Sequence, residues 1–431
     1  MIEKQLRKYI IPNILAMVGT SCYVLADTFF IAASAGANGI TALNLTLPVY
    51  GVIFALGSML GVGSATRYSL QKALGAPDAD DYFSNSILCT LLISLIFVAL
   101  GILWPGGMLR LLGADDIILN LGLDYLRIVL CFTPFFMLNY TFTAFVRNDG
   151  APKVAMAATL VSGLFNIVFD YILIFPARLG ITGAALATAI SPMVSMAICL
   201  LHYLGKKNTI RFRIGRPSAK KLISSCNLGV AAFVGEISSG ITTMVFNFVL
   251  LALAGNIAVA AYGVIANLAL VGTALLNGVS QGLQPLASKT HGAGEGQAEK
   301  RIYRHALQIG VGIAVLLVLM VLCFANRFVG LFNTEHSAAL AAYAEPGIKL
   351  YFLGFPLAAV NIVRTGFLSA TGQGKESSIL SLSRGIIAIV LFAFLLSKLW
   401  GITGVWLAFP ASELFTLLLA AVLVGRRLKS V

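Results

Sequence analysis

The sequence predicts an all-α integral membrane protein of twelve transmembrane helices arranged as two six-helix repeats. Three observations carry that prediction. The chain of 431 residues is 58% hydrophobic and only 11% charged, with a mean hydropathy of +0.91. That is too apolar for a soluble domain to cover with polar surface. Apolar runs of about 20 residues recur along the whole length, as spanning helices require, and the ten-residue alternation of an outer-membrane barrel is missing. The third observation is an internal repeat, set out below.

Turn residues and charges divide the chain into twelve spans, at about 9–33, 41–68, 84–105, 118–146, 154–175, 183–204, 225–253, 257–288, 302–325, 340–368, 377–397 and 402–424. Lys4, Arg7 and Lys8 precede the first apolar stretch as in a signal peptide. That stretch is too long for one and contains Pro12 and Asp27, so it is read as a retained first span. An even number of spans puts both termini on one side. The basic N-terminus, the segment Lys206–Lys221 with seven Lys or Arg and no acid, and Arg426, Arg427 and Lys429 all fall there. The positive-inside rule makes that side cytoplasmic and accounts for the net charge of +13 without nucleic acid. Arg67, Arg147, Arg364 and Arg384 lie near cytoplasmic helix ends, where snorkelling and anchoring is the plain reading. The six cysteines are scattered, with no spacing that suggests a metal site or a disulfide frame.

The repeat rests on matches at nearly one offset. Gly180-Ile-Thr-Gly183 recurs as Gly401-Ile-Thr-Gly404, with Leu186, Ala187 and Ser191 recurring as Leu407, Ala408 and Ser412, a shift of 221. Pro134, Phe145, Gly150 and Lys153 match Pro356, Phe367, Gly372 and Lys375 at 222, and Gly61, Lys72 and Gly75 match Gly278, Lys289 and Gly292 at 217. The expected division is an N-terminal lobe over 1–205, a basic cytoplasmic linker over 206–222 and a C-terminal lobe over 223–431. Six is even, so the halves share an orientation, as in transporters whose repeats are related by an axis along the membrane normal.

Asp27 is the residue that most needs explaining, because a charge deep in a spanning helix costs roughly 2.5–3.5 kcal/mol on insertion scales. In the fifth span Asn166 and Asp170 are four apart and share a helix face. The first and fifth spans run in the same direction, and Asp27 and Asp170 each fall about five or six residues before the outer end, at similar depth by the helical rise. Thr188 lies at a matching depth in the sixth span. Two carboxylates, an amide oxygen and a hydroxyl are hard ligands for a small cation such as Na+, and a close carboxylate pair also suits a shared proton. Polar glue between helices is the competing reading. In the second half Asn247 is a rough counterpart of Asp27, but the repeat maps Asn166 and Asp170 onto Ala388 and Phe392. Glu236 and Glu413 fall near the midplane. They are read as substrate-attracting or second protonation sites, or else as satisfied interior glutamates. Pro12 removes a backbone hydrogen bond in the first span and is a candidate hinge.

Other chemistry is poorly supported. Gly372-Gln-Gly-Lys375 is followed by Glu376 rather than Ser or Thr, so a phosphate-binding loop for ATP is missing. The four histidines lie in loops or at helix ends, which gives little basis for an enzyme built on histidine bases or a histidine metal site. The expectation is a protein that is not an enzyme and uses no cofactor beyond a coupling H+ or Na+.

The string ending Asp27-Thr-Phe-Phe-Ile31, the pattern Gly36-Ala-Asn-Gly-Ile-Thr-Ala-Leu43 and the exit Phe145-Val-Arg-Asn-Asp-Gly150, set on twelve helices in two repeats, resemble the MATE (multidrug and toxic compound extrusion) family. Glu236-Ile-Ser-Ser-Gly240 with Phe246-Asn247 is similar to the MepA-like bacterial branch. The resemblance covers essentially the whole chain. It implies a V-shaped two-lobe bundle that exports cationic or amphipathic drugs in exchange for inward H+ or Na+ by alternating access. It further implies a monomer in the bacterial inner membrane with both termini cytoplasmic and no nucleic-acid partner. Asp27, Asn166, Asp170 and Thr188 match the family's cation site in the N-terminal lobe, and Pro12 matches a proline proposed to bend. Some branches carry an acid in the tenth helix; this chain has none deep in that span. The rival function is a flippase or exporter of lipid-linked substrates on a related fold, which would call for extra spans and a strongly basic cavity.

Overall fold

The computed structural model describes residues 2–213, 217–332 and 337–428. Arg216 of the basic segment, the histidine His336 and Lys429 lie outside them. The described residues form helices, and no strand occurs among them. In order the helices are α1 (Ile2–Ala73), α2 (Asp81–Leu103), α3 (Pro105–Leu111), α4 (Asp116–Cys131), α5 (Thr133–Asn148), α6 (Pro152–Ile174) and α7 (Gly180–Tyr203). There follow α8 (Ala219–Gly292), α9 (Gly296–Phe332), α10 (Ala338–Phe352), α11 (Phe355–Ala370), α12 (Gly374–Leu382), a π-helical turn over Ser383–Ile387 and α13 (Ala388–Leu428).

Among the described residues, eight helical stretches are long and apolar enough to cross a membrane, α1 supplying two of them on either side of Gly36, and two bent pairs raise the number to ten. Two of the eight, Ala219–Gly292 and Gly374–Leu423, are themselves interrupted at Gly255 and Gly401, which yields the twelve crossings expected from the sequence. The breaks recur between the halves. Gly36 (φ 58°) and Gly255 (φ 71°) turn the chain between the two crossings of α1 and between the two of α8, in a conformation that glycine adopts without steric cost. Gly180 (φ 54°) and Gly401 (φ 57°) recur in the same way.

The fourth and tenth spans, expected as single helices over 118–146 and 340–368, are each bent: α4 meets α5 at 46° and α10 meets α11 at 45°. The cause is the repeated pair Pro134 and Pro356, each within the first two positions of the second helix. A proline there has no N–H to give to the preceding turn and disfavours a helical residue before it.

The chain divides into two compact units, one of Met1–Ile14 with Val234–Val431 and one of Leu15–Phe233. The chain therefore passes from one unit to the other inside α1, two residues past Pro12, and again inside α8. The backbone of α1 stays helical through Pro12, its one departure being at Gly36.

In the unit Leu15–Phe233, helices close on small residues, as lipid-embedded helices do when packing supplies the attraction. A Cβ on Gly61 would stand 2.6 Å from the Tyr140 carbonyl carbon. The repeat-related Gly278, in the other unit, would place one 2.6 Å from the Ile14 Cα. The core of that other unit is aromatic, with Tyr351 stacked on Phe409 at 4.4 Å and Tyr262 on Trp406 at 6.4 Å.

The basic linker is docked along its described length. Asp149, buried with His202 at 2.8 Å, accepts the Thr209 backbone N–H at 3.0 Å. Arg213 N–H donates to Ser84 Oγ at 2.8 Å, Ser218 N–H to Asn85 Oδ1 at 2.6 Å, and Lys221 pairs with Asp81 at 2.6 Å and Asp78 at 3.1 Å. The counter-charges absent from the segment itself come from the loop before α2, the first residue of α2 and the end of α5.

Candidate cation site

Glycine sets up the site. On α1, residues 19, 23 and 27 are successive i, i+4 neighbours and face one side of the helix. Gly19 lies against Leu160, whose Cδ2 would be 2.3 Å from an added Cβ, and Tyr23 packs on Gly163 with its Cδ1 3.1 Å from the corresponding point. Each contact brings α1 against α6, and the next turn of the ladder delivers Asp27 to Asp170, so that the two carboxyl groups interact directly.

Asn166 and Asp170 are fully buried on α6, four residues apart on the face turned to α7 and α1. Asn166 Nδ2 donates to Thr188 Oγ1 on α7 at 3.2 Å. The structure therefore brings together all four residues named from the sequence. Asp27 as a residue is half-buried, but its Oδ1 is sealed. Apart from the contact between the two acids, Asp27 Oδ1, both Asp170 oxygens and Asn166 Oδ1 find no hydrogen-bond donor among the described residues. Two carboxylates are both acceptors, so a close pair of them needs a proton on one or a cation between them. Four sealed oxygens without donors form a set that such a cation satisfies and that packing alone leaves costly. Among the described residues no group of three His, Cys, Asp or Glu converges, so the donor set is not that of a transition-metal centre.

Two residues that the sequence did not single out belong to this environment. Tyr50 and Tyr125 are buried, with their hydroxyls 3.3 Å apart, and both interact electrostatically with Asp27 and Asp170. Nothing in a run of apolar residues marks a tyrosine as facing a carboxylate, and only the packing of α1 against α4 shows it.

The C-terminal unit lacks this arrangement. Ala388 is buried and Phe392 packs on the aromatic core, so the positions of the Asn–Asp pair are filled by apolar contact. Asn247 and Glu236 are half-buried, and Glu236 has a partner of its own. Glu413 is 1% exposed and engaged by Arg384 and Asn361. That is the satisfied interior glutamate among the readings left open. Nor do all four arginines expected to snorkel turn outward: Arg147 is buried and Arg384 points inward to Glu413.

The fold and this site define a multi-pass membrane transporter built from two repeats. The MatE family profile matches residues 12–172 and 231–395, and the chain belongs to the MatE family. It is 30% identical over 427 residues to the multidrug export protein MepA of Staphylococcus aureus (strain MRSA252), covering 98% of this chain and 93% of that one. It is 29% identical over 426 residues to MepA of Staphylococcus saprophyticus, again covering 98% and 93%. Among solved structures, an outward-facing multidrug resistance MATE family transporter of the MOP superfamily superposes with a TM-score of 0.89 at 22% identity, over 100% of this chain and 96% of the other. A MOP superfamily transporter from Pyrococcus furiosus superposes at 0.91 with 21% identity, over 100% and 96%.

Proposed function

We propose that this protein is a multidrug efflux antiporter of the bacterial cytoplasmic membrane, exporting cationic or amphipathic compounds in exchange for inward H+ or Na+. Export of drugs is supported by 30% identity to MepA across nearly the whole chain. The single observation that carries the ion-coupled part is the Asp27–Asp170 pair, with three carboxylate oxygens buried on facing helices and no donor besides each other. A structural polar contact would be completed by donors; this one is completed by a cation.

Asp27 and Asp170 hold the coupling ion or proton, Asn166 Oδ1 adds a neutral oxygen, and Thr188 fixes the amide. The ion enters as co-substrate and leaves on the cytoplasmic side, and its presence neutralises a charge that α1 would otherwise carry buried. Release of the ion restores that charge and favours the alternative arrangement of α1, with Pro12 as its hinge. A preference of this kind couples ion and drug because each binds one state better than the other.

The test is reconstitution of the full chain into proteoliposomes, with sodium and proton gradients imposed separately while export of a permanent organic cation is followed. Export driven by one gradient supports the reading and names the ion. Export indifferent to both gradients removes the antiport mechanism.

A further inference from the structure

The C-terminal unit holds a buried ion pair that the cation site does not use. Arg384 Nη2 donates to Glu413 Oε1 at 2.6 Å, and its Nε lies 3.1 Å from Oε1 and 3.3 Å from Oε2. Asn361 Nδ2 adds a third donor, 2.8 Å from Oε2 and 2.8 Å from the Glu413 carbonyl oxygen. The Arg384 side chain is 16% exposed and that of Glu413 1%. Arg384 sits in the π-helical turn Ser383–Ile387, and that turn is also tied to α13 by Ser383 and Thr416 at 3.0 Å. Isolated π turns inside helices are often functional.

The repeat supplies an internal control. A shift of 222 aligns Asn361 with Asn139 and Arg384 with Ser162, and a shift of 221 aligns Ser412 and Glu413 with Ser191 and Pro192. At that place in the N-terminal half, Ser162 Oγ simply donates to the Ser191 carbonyl at 2.6 Å. Two neutral residues make the same inter-helix contact, so packing of the repeat does not require charge. A buried ion pair also adds little net stability over a neutral contact. Both Glu413 oxygens are already taken by nitrogen donors, which leaves no free oxygen for a substrate. Its remaining effect is on the field: without it, Arg384 would be an uncompensated positive charge inside a low-dielectric helix bundle, where charge acts over long distances.

We infer that Glu413 is a specificity-determining residue, which compensates the positive charge of Arg384 so that the C-terminal unit does not repel organic cations. This rests on the cationic substrate class proposed above. The test therefore uses equilibrium binding, which needs no ion gradient, and a pair of probes alike in shape and opposite in charge, tetraphenylphosphonium and tetraphenylborate. In the purified full chain, Glu413→Gln is expected to weaken phosphonium binding roughly tenfold and to strengthen borate binding, the scale of a focused field. Arg384→Gln, which leaves Glu413 negative, is expected to shift both probes the opposite way, and the double variant to return both toward wild type. The opposed single variants keep the test open if one of them folds poorly. Equal weakening of both probes in the single variants, or a double variant as impaired as Glu413→Gln, overturns the inference in favour of a structural role. A wild type that prefers the borate overturns the substrate class alone, because the direction of the Glu413→Gln shift still reports whether this residue sets the preference.

Discussion

Asn166 Nδ2 donates to Thr188 Oγ1 across α6 and α7 at 3.2 Å, and this one bond commits the donor end of the amide. With Nδ2 committed, Oδ1 is the buried end left without a donor, beside two Asp170 oxygens in the same condition. Thr188→Val is expected to leave the amide free to turn and to cost about 1–3 kcal/mol for an unmet donor. The apparent affinity for the driving ion should fall several-fold, read as the midpoint of an ion titration of transport, while Thr188→Ser keeps it. An unchanged midpoint in the valine variant would remove Thr188 from the site.

Asp27→Asn and Asp170→Asn should each bring driven export down to the passive leak. Because an amide replaces a buried charge without donors, stability in detergent should hold or rise, by about 1–4 kcal/mol at most. Thermal unfolding and proteoliposome transport together check this. Wild-type export by either variant sinks the coupling assignment.

Gly61 and Gly278 are the same residue of the repeat, each with a backbone atom 2.6 Å from where a Cβ would stand. Alanine at either position forces helices apart and should destabilise by about 1–3 kcal/mol, as overpacking does. Melting temperatures of the two variants should both fall, whereas Gly51→Ala, with nothing within 4 Å, should melt like wild type.

Pro12 lies two residues before the chain passes between the compact units inside a continuous helix. Pro12→Ala restores an N–H that can bond to the preceding turn and should stiffen α1. The expected result is a lower export rate with the ion-titration midpoint unchanged. A shifted midpoint with a normal rate would place Pro12 in the ion site rather than at a hinge.

Asp149 holds the linker through the Thr209 N–H and pairs with His202 while nearly sealed from solvent. Asp149→Ala should release the backbone of the strap and so let trypsin cut at Lys206, Lys207, Arg211 and Arg213, whose side chains are already exposed. Limited proteolysis between the two halves should run several times faster than in wild type, a local opening rather than global unfolding.

The sequence by itself determined the membrane class, the number of crossings and the two repeats, and it singled out the four residues of the candidate site. Hydropathy, a near-constant offset and an Asn–Asp pair at helical spacing are all one-dimensional signals. The bends at Pro134 and Pro356 were present as residues, yet whether a proline bends a span or only begins a helix depends on the preceding turn. Only the tertiary structure decided that Asp27 meets Asp170, because that meeting depends on Gly19 and Gly163 letting α1 close on α6. It likewise decided that Tyr50 and Tyr125 face the acids and that Glu413 is held by Arg384. The physical reason is common to all three. In apolar helices every face reads alike in sequence, and which side chain meets a charge is set by close packing between helices distant in the chain.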